Sequence, residues 1–305
     1  MNVTEQKYLI ICDLLSATYP ILAPTWQSAY DRFGDEWLEQ FIVNIETIFG
    51  PIKKGENQAG LMDAINGYAE FCNDSLRSQS FFEKNGRYKA SSYAECVDNF
   101  YNNEDHMTRC YLPGMWISHY IWPQHYNMLV GFQTGALRRV QRATNLFFEV
   151  GVGCGMYSKI VMDQLPNARG VGFDISQHSL NFTKKMADLF GHGDRYRIEN
   201  RDIREGYSEK CDFLVCQEVL EHLENPAEFC RWLHDLIKPN GYAYITAALN
   251  AAHSDHIYLI RDPLELESML RAAGFTPLGL QEEFAAGQKP RHITPSLAGY
   301  LCQRM

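Results

Sequence analysis

Phe147-Phe148-Glu149-Val150-Gly151-Val152-Gly153-Cys154-Gly155-Met156-Tyr157-Ser158 lies near the middle of a 305-residue chain. The stretch reads as a strand that ends in a glycine-rich turn and then opens a helix. Such a turn lets backbone approach a nucleotide closely, because glycine reaches positive φ at little steric cost and carries no side chain to hold the ligand off. A dinucleotide-binding turn has the spacing Gly-x-Gly-x-x-Gly and would need its third glycine where Met156 stands. A nicotinamide dehydrogenase is therefore the disfavoured alternative.

Downstream of this turn, short apolar runs alternate with amphipathic helical patterns, which is the signature of an α/β fold with a parallel sheet. Strands are expected at 146–150, 170–173, 196–199, 213–216, 242–247, 276–281 and 297–302. A helix is expected at 226–237, with Phe229, Leu233, Leu236 and Ile237 on one face and Pro239-Asn240-Gly241 ending it. Upstream, apolar residues recur at helical steps, as in Leu9, Cys12, Leu15 and in Trp37, Phe41, Ile45. The turn-rich stretch 50–57 joins two of these helices. The expected division is a helical domain over 1–140 and an α/β domain over 141–305.

The spacing of Glu149, Gly151, Gly153 and Gly155 resembles the first motif of the class I S-adenosylmethionine-dependent methyltransferases, and three further elements follow in that family's order. The resemblance implies a Rossmann-like methyltransferase domain with a seven-stranded, mostly parallel sheet, preceded by an N-terminal helical cap that selects the substrate. It also implies S-adenosylmethionine as cofactor. Asp174, followed by Ile175, stands where the family places the acid that accepts from both ribose hydroxyls. Asp202 and Ile203 stand where an acidic side chain and the next backbone N–H read the adenine edge. Gln217 and Glu218 begin Gln217-Glu218-Val219-Leu220-Glu221-His222, which resembles a segment common in the small-molecule branch. All these positions fall at the C-terminal ends of expected strands, where open α/β sheets bind ligands.

Methyl transfer from a sulfonium is an in-line displacement, so an enzyme mainly aligns the acceptor, excludes water and, for O or N acceptors, removes a proton. His253 and His256, in the loop after the fifth strand, are the candidate catalytic residues; a surface loop carrying two histidines is the competing reading. Tyr258 and His222 are candidate substrate contacts. Residues 111–126 concentrate aromatics, histidines and prolines, and read either as a packed helix junction or as a pocket wall containing Tyr120, Trp122, His125 and Tyr126. Glu218, Glu221 and His222, with His256, resemble a divalent-ion cluster of some small-RNA and quinone-precursor O-methyltransferases. The same pattern occurs in metal-free relatives, and no metal is the expectation here.

The helical cap followed by this cofactor domain also resembles bacterial methionine S-methyltransferases. S-methylation of methionine or a similar thioether is the specific expectation, with Arg291 or Arg261 pairing the carboxylate. O- or N-methylation of another small metabolite and non-catalytic S-adenosylmethionine binding are the alternatives. The net charge of −9 opposes binding to phosphate backbones, and Gln217-Glu218-Val219-Leu220 lacks the Pro-Pro-Tyr element of base-methylating enzymes. A small-molecule acceptor is the expected partner, with no nucleic acid and no membrane; a homodimer is compatible with the sequence. The N-terminal residues lack the pattern of a secretory leader, and nine scattered cysteines without Cys-x-x-Cys suit a reducing, cytoplasmic setting.

Overall fold

In the computed structural model, every residue is described except Met1, Lys54, Glu56, Asn57, Gln288, Lys289 and the side chain of Arg291. Helices α1 (Val3–Thr18), α2 (Ala23–Phe49) and α3 (Ala59–Asn85) begin the chain. Asn2 and Glu5 form a reciprocal capping box at the start of α1, satisfying two backbone donors that would otherwise lack partners. The buried face of α1 is Tyr8, Ile11 and Leu15, whereas Leu9 is 44% exposed, so the inward stripe keeps Leu15 but runs through Tyr8 and Ile11 in place of Leu9 and Cys12. In α2, Trp37, Phe41 and Ile45 are all buried as their spacing implies.

Short helix α4 (Tyr93–Cys96) leads into two π-helical turns, Val97–Tyr101 and His106–Tyr111. Then come α5 (Leu112–Ile121), α6 (Pro123–Gly131), a third π-helical turn over Phe132–Leu137 and α7 (Arg138–Val140). The break between α5 and α6 falls at Trp122, whose extended backbone is what a residue before proline prefers.

The seven expected strands are all present: β1 (Leu146–Val150), β2 (Arg169–Asp174), β3 (Tyr196–Asn200), β4 (Cys211–Cys216), β5 (Ile237–Leu249), β6 (Phe275–Phe284) and β7 (Ser296–Arg304). They form one sheet in the order β3-β2-β1-β4-β5-β7-β6, parallel except for β7, which runs antiparallel to β5 and β6. Helices α8 (Met156–Gln164), α9 (Gln177–Leu189), α10 (Pro226–Asp235) and α11 (Pro263–Ala272) connect them. Pro239-Asn240-Gly241 does not end the preceding helix. That helix stops at Asp235, and the three residues form an irregular start to β5, where Asn240 has φ of 64° and the pairing with β4 shifts register.

Side chains alternate across the sheet. Phe148, Val150, Leu214 and Ile245 point into a core shared with α10 and α11, while Phe147, Phe213, Val215 and Tyr244 point into a core continuous with the N-terminal helices. Phe132 is fully buried at that second face, 6.3 Å from the Phe213 ring and 4.9 Å from the Tyr244 ring. The helical layer before residue 140 therefore covers one side of the sheet. Among the described residues no helix is long and apolar enough to cross a membrane. All nine cysteines are free, and all but Cys12 are buried.

Phe132→Ala is expected to cost about 3–5 kcal/mol, as large-to-small changes at buried aromatics do. Denaturant unfolding followed by far-UV and near-UV signals should shift as one transition. A sheet signal that holds its midpoint while only the helical signal moves would show two independently stable units.

Candidate active site

A cavity of about 610 Å³ opens where β1 and β4 lie side by side while their following connections run to opposite sides. This is the topological switch point of the sheet, and the size suits a small-molecule site. The turn after β1 is pinned by Gly151 and Val152 N–H groups donating to the Phe173 carbonyl at 2.8 and 3.3 Å. Gly151 has φ of 75°, and a Cβ there would lie 2.4 Å from Cγ2 of Val219, so the turn after β1 and the loop after β4 meet only because this residue is glycine. Gly153 also lines the cavity. Gly155 does not: it caps α8 and faces Thr183 of α9, which makes it a support of the turn and not a wall of the cavity.

Asp174 closes β2 and is held by two backbone donors, Gly153 N–H to Oδ2 at 3.2 Å and Ser176 N–H to Oδ1 at 2.8 Å. Each carboxylate oxygen keeps acceptor capacity for a ligand. Burial pushes its carboxyl up to about 6, against the pull of these N–H groups. Ile175 borders the cavity beside it. Glu149 is 2% exposed, accepts a bond from the Ser158 hydroxyl, and is pushed up to about 8 by burial.

Asp202 departs from its expected availability. Its carboxylate takes the Arg204 guanidinium, with Arg204 Nε 2.8 Å from Oδ1 and 2.7 Å from Oδ2, and also caps the following turn through Arg204 N–H at 2.9 Å. Burial pushes its carboxyl up, but these bonds outweigh burial and hold it below its ordinary value. With both oxygens engaged, Asp202 is not a free acceptor for an adenine amine unless Arg204 moves. Ile203 is buried on the cavity wall, and Tyr93, under the Arg204 guanidinium at 5.5 Å, completes that end. Tyr93 went unmarked in the sequence because it lies about a hundred residues from Arg204, in a segment with no motif.

At the end of β4, Thr246 Oγ1 donates to Gln217 Oε1 at 3.0 Å and accepts from the Glu218 N–H at 3.1 Å. Gln217 Nε2 is buried without a hydrogen-bond partner. Glu218 has φ of 49°, an uncommon conformation for a residue with a side chain, and burial pushes its carboxyl up to about 7.

The loop after β5 brings His253, Asp255 and His256 to the same cavity region, joined by residues of the helical layer. His253 Nδ1 is 2.9 Å from Asp255 Oδ1, its Nε2 is 3.3 Å from Asp74 Oδ2 without hydrogen-bond alignment, and its ring lies 4.9 Å from that of Phe71. Burial opposes charge on His253, yet Asp255 and Asp74 outweigh it and raise its pKa. Asp255 is 1% exposed; burial pushes it up, but His222, His253 and His256 hold it well below the usual carboxylate range. Tyr101 donates to Asp255 Oδ2 at 3.1 Å. Tyr101 and Tyr111 end the two π-helical turns, where the extra backbone residue re-aims side chains.

His222 Nδ1 sits 3.0 Å from the Tyr101 hydroxyl and 3.1 Å from the Asp255 carbonyl. His256 Nδ1 donates to the Ala251 carbonyl at 2.7 Å, which leaves Nε2 as the ring's lone-pair nitrogen, and burial first, then His222, pushes its pKa down to about 3. Glu221 is fully buried. Its Oε1 accepts from Ala248 N–H at 3.1 Å, its Oε2 has no partner, and burial holds its carboxyl well above the usual range. Donor atoms of Glu221, His222 and His256 lie within 4.8 Å of one another, a set that could hold a divalent cation.

Of the aromatic segment, Trp122 and His125 line the cavity, with His119 beside them. Tyr120 and Tyr126 do not. Tyr120 is core, bonded to Asn44 at 2.6 Å and packed on Phe41 and Trp116, and Tyr126 packs on Phe33. Both are turned toward α2, which carries Asn44, Phe41 and Phe33. Tyr258 also lies away from the cavity, its hydroxyl donating to Glu265 at 3.2 Å. The side chain of Arg291 lies outside the described residues. Asp255 stood between the two chosen histidines, but nothing in its position announced a buried charge.

Residues 148–243 match the family model for a methyltransferase domain. The chain is similar to the ubiquinone biosynthesis O-methyltransferase of Pseudomonas syringae pv. tomato, 28% identical over 109 residues, covering 35% of this chain and 46% of that protein. The protein of the same description from Ralstonia nicotianae is 28% identical over 160 residues, covering 44% of this chain and 63% of that protein. The chain thus spans about half the length of the curated relatives it matches. Among solved structures, the mitomycin 7-O-methyltransferase MmcR shares the fold with a TM-score of 0.51 at 15% identity, over 80% of this chain and 68% of that one. The crevice at the β1–β4 switch point, the glycine turn and the matched residues together show that the chain carries a class I S-adenosylmethionine-dependent methyltransferase domain, with S-adenosylmethionine as cofactor.

Proposed function

We propose that the protein transfers the methyl group of S-adenosylmethionine to a hydroxyl oxygen of a small, uncharged acceptor. The observation that carries this reading is His253 on the wall of the cavity that also contains the cofactor turn, paired through Nδ1 with the buried Asp255. Asp255, bonded to Nδ1, favours the tautomer in which Nε2 of His253 is the base. In the transfer, the acceptor oxygen forms a bond to the methyl carbon as the carbon–sulfur bond breaks. The hydroxyl proton passes to His253 Nε2, and S-adenosylhomocysteine is the co-product. Asp255 stabilises the imidazolium so formed, and Tyr101 and His222 fix the carboxylate. The O-methyltransferase descriptions of the relatives favour oxygen over sulfur as the acceptor atom.

Methionine S-methylation has less support. A methionine carboxylate needs a cationic partner. Among the described residues, the arginines and lysines lining the cavity are Arg201 and Arg204, and the Arg204 guanidinium is already committed to Asp202. Arg261 does not line it.

A second reading is favoured by Glu221, His222 and His256. Both imidazoles have Nδ1 engaged by protein groups, which is how metal-ligating histidines are oriented, and Glu221 Oε2 is a buried oxygen without a partner. These three residues would hold a divalent cation, whose chemistry when bound is to lower the pKa of an acceptor hydroxyl. His253 and Asp255 keep their roles in either reading.

Three outcomes test this function. Asp174→Ala should weaken S-adenosylmethionine binding by about 1.5–3 kcal/mol for each hydrogen bond lost to a charged group. In the wild type, ribose hydroxyls favour the ionised carboxylate, so the part of the affinity that Asp174→Ala removes should fall as pH drops below about 6, approaching tenfold per unit. Calorimetry from pH 5 to 8 reads both, and an Asp174→Ala affinity equal to wild type would remove Asp174 from the site. Next, His253→Gln should lower kcat for phenol methylation, followed with methyl-labelled cofactor, by about 10²–10⁴ while cofactor affinity stays. A wild-type protein that binds cofactor yet labels no metabolite pool would instead be a binding protein without catalysis. Finally, on the second reading EDTA abolishes the initial rate and Mg²⁺ or Mn²⁺ restores it. A rate indifferent to chelation leaves the metal-free expectation standing.

A further inference from the structure

His119 and His125 lie at the junction of α5 and α6, are 6% and 8% exposed, and line the cavity with ring centroids 5.5 Å apart. Neither has been given a part in methyl transfer. The Ser118 hydroxyl has one proton and donates it to the Met115 carbonyl at 2.7 Å, so at its 3.1 Å contact with His125 Nδ1 the hydroxyl oxygen must accept. His125 therefore carries its proton on Nδ1 and a lone pair on Nε2. His119 Nδ1 is buried without a hydrogen-bond partner. Burial pushes His119 down to about 4, and burial with the neighbouring His119 holds His125 well below its ordinary value, so both rings are neutral near pH 7.

Their surroundings are apolar rings. Trp122 lies 4.9 Å from His125, and Tyr157 lies 5.8 Å from His119. Phe71 links this wall to the proposed base, with its ring 5.5 Å from Trp122 and 4.9 Å from His253. Ring contacts through Trp122 and Phe71 thus connect His125 to His253 along the wall of one cavity. Polar groups buried in an apolar wall cost stability unless a ligand or water satisfies them.

We propose that His119 and His125 form a recognition subsite for a second, neutral hydroxyl on an aromatic acceptor, one that lies away from the oxygen that is methylated. A hydroxyl serves both imidazoles at once, donating to the lone pair of His125 Nε2 and accepting from His119 when that ring presents an N–H. A carboxylate gains no cation here and meets the His125 lone pair, so the subsite selects against anionic acceptors. The inference rests on the methyl-transfer reading only for which oxygen is methylated. The subsite itself is a matter of binding.

The test uses monophenols in pairs, with the full-length protein saturated with S-adenosylhomocysteine. Calorimetry compares 3- and 4-hydroxybenzyl alcohol with the matching cresols and with 4-hydroxybenzoate. At least one benzyl alcohol should bind about tenfold more tightly than its cresol, the effect of one or two buried hydrogen bonds, and 4-hydroxybenzoate should bind more weakly than either. His125→Phe should bring the alcohol-to-cresol ratio close to one while S-adenosylhomocysteine affinity is retained. His125→Gln, which keeps polarity and approximate size, should recover part of it should the phenylalanine variant fold poorly. Equal affinities of the alcohols and cresols for the wild type, no detectable binding of either, or a ratio unchanged in both variants would each overturn the subsite. Turnover with methyl-labelled cofactor is scored separately. A tenfold ratio without labelled product leaves the subsite standing and removes the methyl-transfer reading, whereas labelled product without the ratio does the reverse.

Discussion

The contact of Phe132 with Phe213 and Tyr244 is the constraint from which the site's architecture follows. A parallel sheet must bury both faces. The far face is covered by α10 and α11, which lie in sequence between the strands they serve, but the near face is completed by helices made earlier in the chain. Once Phe132, Leu137 and Val140 are committed to the sheet, α5 and α6 are drawn across the open end of the crevice, and with them Trp122, His119 and His125. The part that covers the core is the same part that walls the acceptor space.

This coupling explains why the loop after β5 can bury a charge. Asp255 would be costly at 1% exposure if it stood alone. Its partners come from three sources: His253 on its own loop, His222 after β4, and Tyr101 from the helical layer. Removing the helical contribution would leave Oδ2 with one fewer donor in a low-dielectric setting. The helical layer therefore contributes to the electrostatics of the site as well as to its shape.

The strands, their order of appearance and the β1 turn were legible because short apolar runs and glycine spacing are local properties. That the acids after β2 and β4 border the crevice was legible for the same reason, since strand ends fix where side chains emerge. What local pattern could not show is which of several good candidates faces inward. Within residues 111–126, Tyr120 and Tyr126 matched a pocket wall in composition as well as Trp122 and His125 did, and only packing against Asn44, Phe41 and Phe33 sent them to the core. Asp202 was a strand-end acid like Asp174, yet Arg204 two residues on occupies its oxygens, an interaction set by side-chain reach. The turn signal of Pro239-Asn240-Gly241 was real, but it bends the start of a strand instead of closing a helix. Asp74 and Tyr101 lay beyond any local reading, because they reach His253 and Asp255 from more than 150 residues away.

The cofactor crevice carries three carboxyls raised by burial, Glu149 to about 8, Glu218 to about 7 and Asp174 to about 6. Such values mark a site whose ionised form is poorly solvated by the protein alone. S-adenosylmethionine brings a sulfonium and an ammonium, and a nearby opposite charge favours the ionised carboxylate. Ligand and acids therefore stabilise one another, and a ligand that binds only the folded state raises stability by RT ln(1 + [L]/Kd). The demethylated product has lost the sulfonium charge while keeping the adenosine and amino-acid contacts. On charge alone it stabilises these carboxylates less than the donor does.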